Sequence, residues 1–343
     1  MRCFVRVACS TFLACVVLTL ISLSTYADSD INPVTTFSVS DEVVFLRFSR
    51  DGKLLLIGTD HLSRFGGGTV FVLSTESGKV EFTKAFRARV TAADLSPDGK
   101  HLAICSSRCE VLQLPSGTHV AQLEPSSNVV FANDTTLYHS ARALRILDLR
   151  SGDKRNAFPD STIPCSAFAL TASLESAALV LDTSLRVEGE SHNATFRIDV
   201  LRKDPRSPRV PTLEVKGYCP SVAWSPSANT LFVSGSPPDR RAMLWKCDSN
   251  KFVFLDCTFS VANGFISDEL VACLGTYRDD HSPSLMVFNA ETGRDLVKRP
   301  LESTGRASFS NDCRFVATTS KGKIRVYDIG DLIQTAVDGN AHD

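Results

Sequence analysis

Apolar positions along this chain fall into short runs with polar neighbours between them, and each run stops at a cluster of Ser, Pro, Asp, Asn or Gly. The stretch from Val90 shows the pattern. Val90 to Leu95 is followed by Ser96-Pro-Asp-Gly-Lys100, then by His101 to Cys105, Glu110 to Leu114, a Ser116-Gly117 step, and His119 to Leu123. Runs this short with period-two character predict β-strands, because successive side chains of a strand point to opposite faces. The punctuating residues predict tight turns, since Gly and Asn reach positive φ cheaply and Pro arrives with its φ already set.

The turns themselves recur. Ser49-Arg-Asp-Gly-Lys53, Ser96-Pro-Asp-Gly-Lys100, Ser225-Pro-Ser-Ala-Asn229 and Ser310-Asn-Asp-Cys-Arg314 are separated by 47, 129 and 85 residues, which are one, three and two units of a period near 43. Degraded copies stand where that period requires them, at Ala132-Asn133-Asp134, Ala169-Leu170-Thr171 and Ile266-Ser267-Asp268. The residues before the seven turns are Phe48, Leu95, Phe131, Phe168, Trp224, Phe265 and Phe309, a column of large side chains such as stacked units bury against one another. A second turn recurs later in the units, as Ser77-Gly78, Ser116-Gly117, Ser151-Gly152, Ser249-Asn250 and Thr292-Gly293. Four antiparallel strands per unit of this length predict an all-β fold, a seven-bladed β-propeller of four-stranded blades.

The chain resembles the WD-repeat β-propeller family over about Thr35 to Leu332. The Ser-Pro-Asp-Gly-Lys type of turn after the innermost strand carries the resemblance, together with third strands such as Lys323-Ile-Arg-Val-Tyr-Asp328, Leu144-Arg-Ile-Leu-Asp148 and Met243-Leu-Trp245. The family's Gly-His pair is absent, and its Trp-Asp ending survives only as Tyr327-Asp328 and Leu147-Asp148. The resemblance therefore implies a divergent propeller, of the kind exported by bacteria, without the family's His, Asp, Ser and Trp network.

The last unit offers three strands, Arg306 to Phe309, Arg314 to Thr318 and Lys323 to Ile329, and lacks an outer one. Thr35 to Val39 is a spare strand, and pairing it with the last blade closes the ring and removes an open edge. Before it, Arg2 and Arg6 precede an apolar stretch from Val7 through Leu23, with Thr25 and Ala27 at positions that suit signal peptidase. The expected organisation is a signal peptide over 1–27, a linker over 28–34, the propeller over 35–332 and a polar tail over 333–343. The expected location is periplasmic or extracellular; an uncleaved anchor holding the protein to a membrane is the alternative.

Eight cysteines lie beyond residue 27, an even number in a chain expected to meet oxidising conditions. Cys105 and Cys109, at facing ends of one hairpin, are the most easily bridged; Cys165 and Cys219 are a second pair. The competing reading is that several are small buried apolar residues, as Val271-Ala-Cys-Leu274 implies for Cys273.

A formal net charge of −1 offers no basic field for nucleic acid. No Gly-x-Ser-x-Gly elbow, His-Glu-x-x-His or phosphate loop occurs, and the seven histidines are scattered singly. No cofactor or metal is expected. The loops between second and third strands are long at Asp60 to Gly68, Asp182 to Ala194, Ser236 to Arg241 and Thr276 to Pro283, and alternation of turns puts them all on one face. Variable loops on a regular scaffold mark a binding side. Its candidate contacts are His61, Arg64, Arg186, His192, Arg240, Arg241, Tyr277 and Arg278, a mixture of guanidinium, imidazole and phenol groups suited to a protein or peptide partner. The expected function is a non-enzymatic interaction scaffold; the alternative is a propeller enzyme, a hydrolase or a quinoprotein-like oxidoreductase, with a site at the central channel mouth.

Overall fold

A computed structural model describes residues 31–340, apart from 62–65, 141–142, 159–164, 166, 172, 184–194, 205, 208, 217–219, 237–240, 278–282 and 302–304. The apolar runs become strands whose inward residues lie at 0 % exposure, as in Leu55, Leu56 and Ile57 of one strand or Leu102, Ala103 and Ile104 of another. Antiparallel pairing in chain order gives four sheets directly. The first blade is β2 (Glu42–Phe48), β3 (Leu54–Asp60), β4 (Gly68–Ser74) and β5 (Val80–Phe86). The second is β6 (Ala92–Leu95), β7 (His101–Cys105), β8 (Cys109–Gln113) and β9 (Thr118–Leu123). The third is β10 (Val129–Phe131), β11 (Thr136–Ser140), β12 (Leu144–Asp148) and β13 (Lys154–Asn156). The fourth is β14 (Ala167–Leu170), β15 (Ser176–Asp182), β16 (Thr195–Arg202) and β17 (Leu213–Lys216).

A fifth four-stranded blade is built from both ends of the chain. β1 (Thr35–Ser38) pairs antiparallel with β27 (Lys323–Asp328), placing Thr35 opposite Val326 and Ser38 opposite Lys323, and β26 (Phe315–Ser320) and β25 (Ala307–Phe309) complete the sheet. Phe37 and Val39 join Ala317, Ile324 and Val326 in one core cluster with Leu46, Phe48, Leu55 and Ile57 of the first blade. The same principle operates elsewhere: each cluster between blades draws apolar side chains from two neighbouring sheets, so no blade buries its face alone.

The expectation of seven four-stranded blades is corrected here. Five four-stranded blades form, and the residues expected to make two more join in one seven-stranded sheet, β18 (Val222–Trp224), β19 (Thr230–Ser236), β20 (Arg241–Lys246), β21 (Lys251–Phe265), β22 (Leu270–Tyr277), β23 (Pro283–Asn289) and β24 (Asp295–Pro300). The joint is β21, a strand of 15 residues that pairs with β20 through its first half and β22 through its second. From Lys251 to Ala262 it contains no Gly or Pro and is rich in Phe, Val and Thr, so nothing in the local sequence forces the backbone out of the extended state. The link between the second and third blades, Glu124-Pro-Ser-Ser-Asn128, carries the breakers that β21 lacks.

The inner turns share a hydrogen-bonding plan that explains their sequence. The Ser49 hydroxyl donates to Asp51 Oδ1 at 2.8 Å and accepts the Leu54 amide at 2.9 Å; Ser96 does the same with Asp98 and His101, and Ser310 with Asp312 and Phe315. The fourth residue of each turn has positive φ, and it is Gly at 52 and 99 but Ala228 at 63° and Cys313 at 56°. In the fourth blade this plan begins at Thr171, whose Oγ1 accepts the Ser176 amide at 3.1 Å. The residue before that turn is therefore Leu170; Phe168, expected there, lies two positions earlier and packs in the core between the third and fourth blades.

A helix covers most of the segment expected as a polar tail from 333 to 343. Gly330–Asn340 is an α-helix, α1, entered through the Asp328 carboxylate, which accepts the Gly330 amide at 3.0 Å. Leu332 and Ala336, one helical turn apart, pack against Val287 and Val297 of the fused sheet, and Asn340 Oδ1 accepts from Asn289 Nδ2 at 2.7 Å.

Candidate functional site

Strand order fixes two ends of the propeller. The inner turns and the turns between third and fourth strands share one end; the loops between second and third strands share the other with the links from blade to blade. The two ends are built differently.

At the inner-turn end the strands converge on a cavity of about 500 Å³, lined by residues of the inner strands and turns, among them Arg47, Asp94, Phe131, Leu170, Trp224 and Phe309. Arg47 and Asp94, from adjacent blades, form its one ion pair among the described residues, with Nη1 3.3 Å from Oδ1. The same Nη1 donates to the Val129 carbonyl at 3.0 Å, and Asp94 Oδ2 accepts the Phe131 amide at 2.6 Å. Burial pushes the Asp94 carboxyl above its ordinary value, against the opposing pull of Arg47 and of the backbone amides. The pair thus ties three blades together at the mouth. Trp224 is engaged too, its indole N–H donating to the Ala169 carbonyl at 3.2 Å.

At the opposite end the described residues form a partly paired polar surface. His61 Nδ1 lies 2.9 Å from Asp41 Oδ1, and the His61 amide donates to the Gly67 carbonyl at 3.0 Å, closing the base of its loop. Arg89 Nε is 3.2 Å from Asp60 Oδ2. Arg241 pairs with Asp256 across the strands β20 and β21. Of the eight candidate contact residues, His61 and Arg241 are described; Arg64, Arg186, His192, Arg240 and Arg278 lie outside the described residues, as does the side chain of Tyr277. His61 and Arg241 each hold a carboxylate of their own sheet and do not meet one another.

Further round this end lies a buried polar group that the single histidines of the sequence did not announce. Ser126 Oγ is 2.9 Å from His139 Nδ1, and the Ser126 amide donates to Cys109 Sγ at 3.2 Å. His139 is 1 % exposed, its Nε2 makes no hydrogen bond among the described residues, and burial brings its pKa down to about 4. It is held neutral, and among the described residues no third side chain orients it as a general base would require. Cys105 and Cys109 face each other in register across the β7–β8 hairpin; both are buried and neither is in a disulfide. The hydrogen bond that Cys105 donates lowers the Cys109 pKa, and donating it, together with burial, raises that of Cys105.

Among the described residues no three His, Cys, Asp or Glu side chains gather where they could hold a metal ion. No described helix is long and apolar enough to cross a membrane.

No protein-family model matches the sequence, and no curated protein does. Solved structures do match the fold. A chain of a mitotic checkpoint complex superposes with a TM-score of 0.65 at 15% identity, covering 88% of this chain and 94% of that one. A chain of hydrazine synthase from Kuenenia stuttgartiensis gives 0.61 at 14% identity, over 89% and 98% of the two chains. The β-propeller domain of Cps50 (Swd1) from Myceliophteria thermophila gives 0.59 at 14% identity, over 85% and 98%. The protein has a WD-repeat-like β-propeller fold. At these identities the likeness concerns architecture alone.

Proposed function

We propose that the protein is a non-enzymatic interaction scaffold, exported from the cytoplasm, that binds a protein or peptide through the end carrying the second-to-third strand loops. The observation that carries this reading is the asymmetry between the two ends. The inner-turn end is tightened by repeated Ser hydroxyl bonds and by the Arg47–Asp94 tie. The other end carries the connections that are long in sequence, with His61 and Arg241 at the margins of two of them. Regular scaffolds concentrate recognition in such variable connections.

Arg47 and Asp94 are the ion pair at the channel mouth. Both are engaged with each other and with backbone groups of the third blade. The reading is tested by affinity capture from the exported fraction. The variants are Arg240→Ala with Arg241→Ala, shortening of residues 276–283, and Lys53→Ala at the opposite end as control. Loss of the captured partner in the first two variants and its retention in the third is the expected outcome. Equal recovery from all would overturn this choice of face.

A further inference from the structure

The joint in the fused sheet contains a second thiol pair, apart from Cys105 and Cys109. Cys257 sits near the middle of β21, opposite Tyr277, and Cys273 in β22 is opposite Asn263. On simple register these two would be too far apart along the ladder to touch. The ladder is irregular here: partners step from Thr258↔Thr276 to Ala262↔Leu274, so three residues of β21 stand against Gly275 alone. This is a bulge, and it swings the strand relative to its partner.

Gly275 makes the next step possible. A Cβ at position 275 would lie 2.7 Å from Cys257 Sγ, so the sulfur occupies the space that a side chain there would fill. Residues 273 and 275 share a face of β22, because strand side chains alternate. The Cys257 sulfur is thereby brought beside that of Cys273, at an Sγ–Sγ distance of 2.9 Å, with both residues at 0 % exposure. Cys273 Sγ also lies 3.1 Å from Ser260 Oγ, within the bulge itself.

We propose that Cys257 and Cys273 are the site of a disulfide that forms as the chain folds and staples the bend of β21 to β22. Balance requires an external disulfide such as oxidised glutathione. One cysteine thiolate attacks it and displaces a thiolate, giving a mixed disulfide; the second cysteine attacks the bonded protein sulfur and displaces the other. Two S–H bonds are lost, one S–S bond is made, and the external disulfide leaves as two thiols carrying the two electrons, with both protons accounted for. Complete burial afterwards shields the bond from exchange. The link it fixes has no Gly or Pro from Lys251 to Ala262, so a covalent tie sets the register where turn chemistry does not.

The test uses the full chain, refolded with oxidised glutathione, then denatured and alkylated. Trypsin yields residues 252–278, a peptide containing Cys257 and Cys273 and no other cysteine. Its expected mass is two hydrogens below that of the reduced form, without alkylation, and cleavage after Glu269 should leave its halves linked until reduced. Alkylation at both positions, or linkage of either to another cysteine, overturns the pairing. In Cys273→Ala, Cys257 should become fully alkylated. Reduction of the oxidised protein should lower its unfolding midpoint by about 5 °C, an effect absent from the Cys257→Ala/Cys273→Ala variant. An unchanged midpoint would overturn the staple.

Discussion

The amide of Ser227 donates to the carboxylate of Asp268, one repeat further along the chain, at 2.9 Å. The amide of Asp98 makes the same bond to Asp134 of the next blade at 2.8 Å. Asp134 and Asp268 belong to inner turns that have lost the Ser-Pro-Asp-Gly sequence, yet each turn keeps an aspartate at its tip. That residue serves the neighbouring turn instead of its own. Degradation of the repeat here is a change of partner.

Replacing Asp268 by Ala should therefore weaken the junction between two repeats without unravelling either turn. The loss of one amide-to-carboxylate bond at an exposed site should cost about 1 kcal/mol. A urea titration reads this as a lower midpoint at unchanged slope. Partial desolvation raises the pKa of Asp268, but bonds from the Ser227 amide and hydroxyl and the Ser225 hydroxyl outweigh it and hold the carboxyl below its ordinary value. Its contribution is complete above the usual carboxylate range and is lost as the pH falls through the lowered pKa. Wild type and Asp268→Ala should accordingly converge in stability under acid.

His139 gives a pH dependence of its own. Its folded pKa is about 4, brought down by burial, against about 6.5 in an unfolded chain. Above pH 6.5 both states are neutral and nothing is lost. Between 6.5 and 4 the unfolded chain takes up a proton that the folded chain refuses, so stability declines with falling pH, by about 3 kcal/mol once both values are passed. His139→Gln should flatten this part of the stability profile. An NMR titration showing the imidazole protonated in the folded protein near pH 6 would contradict the assignment.

Ala228 holds φ at 63° in the turn position where Gly52 and Gly99 stand at 70° and 69°. A side chain in the left-handed region crowds its own carbonyl, and the strain exceeds the backbone entropy that glycine loses on folding. Ala228→Gly should raise stability by about 0.5 to 1 kcal/mol, measured by thermal or urea unfolding. A destabilised variant would mean that the turn draws more from the methyl group than from relief of strain.

The chain by itself determined its strands, its turns and their repetition. Local chemistry acts over a few residues: a Ser whose hydroxyl binds the backbone five residues on, a Gly or Asn whose φ is positive, and an apolar run that must be covered. The spare strand at Thr35 was legible because its alternation stood outside the repeat, and pairing with β27 uses it. The candidate face was legible only as a set of loop lengths, since side-chain positions in long loops are not set by nearest neighbours. Phe168 was misplaced in the inner column because aromatic character does not distinguish a strand end from a position two residues earlier. Only Thr171, a weak surrogate for Ser, marks the turn.

Tertiary structure decided what depends on residues far apart. The number of separate blades turned on whether the link through Cys257 to Ala262 would leave the extended state, and its pairing with both β20 and β22 kept it there. The helix at Gly330 follows from Leu332 and Ala336 finding Val287 and Val297, a contact across more than thirty residues. Arg47 meets Asp94, Ser126 meets His139 and Cys257 meets Cys273 because the ring brings blades and a bulge together. Such meetings are set by ring geometry and ladder register, neither of which a linear pattern of residues records.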